Sequence, residues 1–73
     1  MKTKTYRVLV ESGEDGWLVA EVPELRGCFT QGKDMAELNY MIKDAIEGYL
    51  IAFEHQKKPK FEIKIEQSET ALA

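Results

Sequence analysis

A chain of 73 residues, 44% hydrophobic and 32% charged, has material for one small domain near the lower limit for a self-sufficient core, because so short a chain buries only about 60% of the surface its unfolded form exposes. Ten Lys and Arg against 13 Asp and Glu give a formal net charge of −3, the wrong sign for gripping nucleic acid by its phosphates and a weak pointer to a basic partner. The single cysteine, Cys28, excludes an internal disulfide. With no signal-type opening and no apolar run near the roughly 20 residues that cross a bilayer, the cytoplasm is the expected compartment.

Thr5 to Glu11 reads as a first strand, since Tyr6, Val8 and Val10 alternate with Arg7, Leu9 and Glu11. Ser12 to Gly16 is a polar turn whose Asp15-Gly16 end suits left-handed geometry. Gly16 to Val22 is a second strand with Leu18, Ala20 and Val22 on one face and Trp17, Val19 and Glu21 on the other. An open antiparallel sheet normally keeps one face polar. Here Leu9, Trp17 and Val19 interrupt that polar face, which makes them a candidate protein-binding patch; isolated exposed apolar residues are also ordinary, and a loop folded over Trp17 is the competing reading.

Pro23 closes the second strand, and Gly27 and Gly32 bracket a short third strand around Cys28, Phe29 and Thr30. Asp34, followed three residues later by Glu37, reads as a capping box. From Leu38 the positions Met41, Ile42, Ala45, Ile46, Tyr49, Leu50 and Phe53 then form one helical stripe. Gly48 interrupts this helix at about 1 kcal/mol against Ala, either admitting a neighbouring backbone or merely tolerated. His55, Lys57 and Lys58 suit the negative end of the helix dipole, and Pro59 forbids continuation.

Lys60 to Glu66 alternates as a fourth strand, with Phe61, Ile63 and Ile65 inward and a charged outer row of the kind edges carry. A right-handed crossover through a helix about 30 Å long returns this strand parallel to the first. The expected fold is α+β: two layers in the order β-β-β-α-β, a four-stranded mixed sheet of order 3-2-1-4 with one helix on one face. Residues 1–66 form the expected domain and 67–73 a disordered tail.

Several residues taken together resemble the HicB-like antitoxins over roughly Tyr6 to Phe53. They are Asp15-Gly16-Trp17, Ala20-Glu21-Val22-Pro23-Glu24-Leu25, Gly27-Cys28-Phe29-Thr30-Gln31-Gly32, and Ala45-Ile46-Glu47 followed by Tyr49-Leu50. The resemblance implies a partly degenerate ribonuclease H-like fold and the role of antitoxin in a type II toxin–antitoxin pair. Its partner would be a small, basic, HicA-like mRNA-cleaving toxin of double-stranded-RNA-binding type. Many such antitoxins append a DNA-binding module; only a few residues follow the fourth strand here, so direct operator binding is not expected.

The ribonuclease H likeness also raises a nuclease, which needs carboxylates converging on metal ions. The inward positions of the first strand are Tyr6, Val8 and Val10, while Glu11, Glu21, Glu47, Glu62 and Glu66 point elsewhere, so no catalytic, metal or cofactor residues are expected. Cys28 with His55 lacks an orienting third group, and Cys28 reads as a small buried hydrophobe. The partner-binding candidates are Leu9, Trp17 and Val19 as apolar anchors and Asp15, Glu21 and Glu24 as acidic rim, with self-association through the open sheet. The helix's polar side and the loop from Pro23 to Arg26 are further candidates for covering the toxin. The alternative function is an orphan oligomeric interaction domain of the same fold without a toxin.

Overall fold

The computed structural model describes residues 3–67. Strand β1 (Lys4–Ser12) leads through a single 3-10 turn at Glu14–Gly16 into β2 (Leu18–Glu21), then β3 (Phe29–Gly32), helix α1 (Met35–Glu54) and β4 (Phe61–Gln67). The sheet order is β3-β2-β1-β4. β1 and β2 are antiparallel, as are β2 and β3, while β4 runs parallel to β1. The α+β architecture and the 3-2-1-4 order are those the alternation and crossover rules predict. β4 takes in Gln67, which the sequence reading assigned to the tail; residues 68–73 lie outside those described.

Turn chemistry explains most of the connections. Asp15 and Gly16 are both left-handed, with φ of 63° and 79°, and the Gly13 N–H donates to the Trp17 carbonyl at 2.7 Å. Between β2 and β3 the chain makes linked tight turns: Leu25 N–H donates to the Val22 carbonyl, Cys28 N–H to the Leu25 carbonyl, and Val22 N–H to the Cys28 carbonyl. Gly27 provides the left-handed residue there, at φ 82°. Gly32 is no such residue. It ends β3 within reach of the helix, and a Cβ added to it would lie 2.9 Å from the Leu38 amide nitrogen.

At the start of α1 the Asp34 carboxylate accepts from Glu37 N–H at 2.8 Å, and the Glu37 carboxylate accepts from Lys33 N–H at 2.7 Å, one residue before the usual capping-box donor. The helix ends differently from expectation. His55 adopts the left-handed conformation, φ 59°, and its N–H and that of Gln56 both donate to the Leu50 carbonyl. The chain therefore turns away before Lys57, Lys58 and Pro59, and the last helical turn contains no basic residue.

The core joins Tyr6, Val8, Val10, Ala20 and Val22 to Leu38, Ile42, Ile46 and Leu50, closed by Leu25 and Cys28 from the connecting turns. The helical contribution is narrower than the expected stripe, with buried residues every fourth position. Met41 and Phe53 lie on its outer flank, 37% and 70% exposed, and Ala45 and Tyr49 are partly buried. α1 packs over β3 and β2. Phe61, Ile63 and Ile65 of β4 accordingly remain only half-buried.

Candidate protein interface

Residues paired across a ladder share a face, so the register defines the side of the sheet that α1 leaves uncovered. One row across it is Phe29, Glu21, Leu9 and Glu66, and the next is Gln31, Val19 and Glu11. Leu9 and Val19 are half-buried, Trp17 is 38% exposed, and Phe29, which sequence reasoning did not include, is 67% exposed. The result is a set of separate apolar side chains interleaved with Glu11, Glu21 and Glu66. No loop buries Trp17; it stands at the β1–β2 end of the sheet beside the exposed Asp15 turn.

Leu9, Val19 and Glu21 thus come together on one face, with Asp15 and Trp17 at its end. Glu24 does not join them. Its carboxylate lies 3.6 Å from Lys4 Nζ and accepts from the Arg7 backbone N–H at 3.4 Å. β2 pairs with β1 only from Leu9 onward, so Glu24 serves an amide of β1 that has no strand beside it on that side. It shares a cleft with Tyr6, Leu50 and Glu54 at the helix-bearing side of the sheet. The expectation that Glu24 supplies acidic rim to the Trp17 patch is corrected accordingly. The Pro23–Arg26 loop also spends Leu25 on the core.

A second feature was not read from the sequence. Beside the free edge of β3, an open cleft of about 370 Å³ is lined by Cys28, Phe29, Ala45, Gly48, Tyr49 and Phe53 among others. Tyr49 and Phe53 stack with ring centroids 4.8 Å apart. A Cβ added to Gly48 would meet nothing within 4 Å, so no neighbouring backbone within the chain requires this glycine. The signal available in the sequence was Gly48 itself, a helix-weakening residue between apolar positions.

The ionisable groups are dispersed. Among the described residues no three His, Cys, Asp or Glu side chains gather as a metal-binding group. Arg7 Nη2 donates to Glu66 Oε1 at 3.1 Å, across the diagonal of the β1–β4 pairing. The hydrogen bond and charge of Arg7 hold the Glu66 carboxyl below its usual range, and Glu66 in turn raises the Arg7 guanidinium. Burial pushes the Cys28 thiol up, the opposite of an activated nucleophile. Tyr6 is also raised, first by burial and then by Glu54.

Among known proteins, the chain is 47% identical over 45 residues to a UPF0150 protein of Archaeoglobus fulgidus and 49% identical over 45 residues to one of Thermoplasma acidophilum. Each match covers 62% of this chain and 65% of the relative, so the chain matches slightly less than two thirds of those proteins' length. It is also 36% identical over 61 residues to a UPF0150 protein of Synechocystis, covering 84% of this chain and 88% of that protein. No protein-family model matches, and no solved structure matches.

Proposed function

The chain belongs to the UPF0150 family, and from that premise we propose that it is a HicB-like antitoxin, a non-enzymatic domain that binds and occludes a small, basic, HicA-like mRNA-cleaving toxin. The observation that carries this reading is the uncovered sheet face, where Leu9, Val19 and Phe29 alternate with Glu11, Glu21 and Glu66. Apolar anchors supply contact area to a partner, and Glu11 and Glu21 between them favour a cationic one, Glu66 being already paired with Arg7. A toxin that cleaves mRNA must engage phosphates and is cationic for that reason.

Inhibition on this reading is stoichiometric: the antitoxin covers the surface with which the toxin grips and cuts RNA. The scatter of carboxylates among the described residues favours this over a nuclease, whose metal chemistry needs them at one point.

The test is a search for a small basic reading frame encoded beside this one and its expression, alone and together with this chain. Growth arrest with mRNA cleavage, relieved by the chain and not by a Trp17→Ala, Val19→Glu variant that remains folded, is the expected result. Arrest that the chain fails to relieve overturns the reading. Absence of such a reading frame shifts the assignment to the orphan interaction domain.

A further inference from the structure

Among the described residues β4 is an edge of the sheet, and of the usual protections it carries only its row of alternating charges. Natural edges are blunted by shortness, proline, bulges or repelling charge. β4 runs seven residues, Phe61–Gln67, without proline or glycine, and its one-to-one register with β1 contains no bulge. The other edge, β3, has four residues. On its helix-bearing face β4 presents Phe61, Ile63 and Ile65, all half-buried. There an open cleft of about 420 Å³ lies along Lys43, Phe61, Glu62 and Ile63. Apolar side chains and unpaired backbone therefore coincide on one edge.

The charges say what fits. Around Ile63 the sequence Lys60-Phe61-Glu62-Ile63-Lys64-Ile65-Glu66 is self-complementary when read in opposite directions. We propose that β4 pairs antiparallel with β4 of a second copy of this chain, centred on Ile63, so that the two sheets become one continuous sheet with both helices on the same face. In that register Glu62 of each copy lies opposite Lys64 of the other, Lys60 opposite Glu66, Phe61 opposite Ile65, and Ile63 opposite Ile63. Opposite charges across a ladder attract and like charges repel.

The neighbouring registers that keep the apolar residues on one face fail this condition. Centring on Lys64 sets Lys64 against Lys64 and Glu62 against Glu66; centring on Glu62 sets Glu62 against Glu62 and Lys60 against Lys64. The alternating charges thus select one register. Glu66 already holds Arg7 at 3.1 Å, so the two Glu62–Lys64 pairs dominate the selection. The arrangement is isologous and closes at two copies. It does not rest on the toxin reading, since this chain is its own partner and the Trp17 face stays open in the pair.

The test is the solution mass of the full chain by sedimentation over a dilution series. Wild type is expected to associate to a dimer. Glu62→Lys sets base against base at both central pairs, and Lys64→Glu sets acid against acid. Each alone is expected to be monomeric, with an unchanged circular dichroism spectrum because both side chains lie on the solvent side of the sheet. Mixed in equal amounts, the two variants restore opposite charges at both pairs and are expected to form a heterodimer. The double variant in one chain is expected to dimerise with itself. A monomeric wild type, single variants that still dimerise, or a mixture that fails to associate overturns the proposal.

Discussion

Gly32 and Leu38 meet at the corner where β3 turns into α1, so closely that a Cβ on Gly32 would lie 2.9 Å from the Leu38 nitrogen and 3.0 Å from its Cα. Both neighbouring atoms are backbone, and Leu38 is fully buried at the first turn of the core stripe. The contact sets how near α1 lies to β3. Gly32→Ala must therefore push helix from strand, and overpacking of this kind costs about 1–3 kcal/mol. Urea denaturation followed by circular dichroism should show a lower midpoint with an unchanged slope; an unaltered midpoint would mean that the corner is not under this constraint.

Gly48 presents the opposite case. Its added Cβ meets open space in the cleft beside β3, so Gly48→Ala should recover the helix propensity that glycine loses, about 0.5–1 kcal/mol. In so small a domain the thermal midpoint should rise by a few degrees, about 4 °C or more per kcal/mol. A lower midpoint would show that the glycine is needed inside the fold.

Arg7 and Glu66 link β1 to β4 across the uncovered face. A carboxylate held below its ordinary range stabilises the fold at pH above its unfolded value, and that contribution fades as pH falls through the lower folded value. Arg7→Ala should raise the Glu66 titration midpoint toward that of a free glutamate, as followed by carboxyl carbon NMR. In wild type, added salt should move the midpoint the same way, because the pair is exposed. A midpoint indifferent to both changes would dissociate the two residues in solution.

Strand alternation made much of this fold legible. Tyr6, Val8 and Val10 against Arg7, Leu9 and Glu11 set the two faces of β1, and the right-handed crossover through the helix set the parallel return of β4. Contacts distant in sequence were not legible. β2 begins at Leu18 because Trp17 is extended but lies before the ladder with β1. Glu24 looks like a free surface acid until β1 is placed beside it. Phe53 satisfies the helical period, yet the chain turns away at His55 before any strand covers it. Leu25 enters the core from a turn, where periodicity carries no signal. The cleft over Gly48 forms where Cys28 and Phe29, at the start of β3, lie beside Ala45, Gly48 and Tyr49 of α1.

The uncovered sheet face as a partner surface is tested most directly by calorimetric titration of the proposed partner, a HicA-like toxin made catalytically silent, into the wild-type chain and into Trp17→Ala. Trp17 is 38% exposed and outside the core, so its truncation should leave the thermal midpoint close to wild type. Loss of an aromatic anchor is worth about 2 kcal/mol or more, and the affinity should fall by roughly 30-fold or more. Equal affinity of the two proteins for the toxin, with both folded, would contradict the assignment of this face.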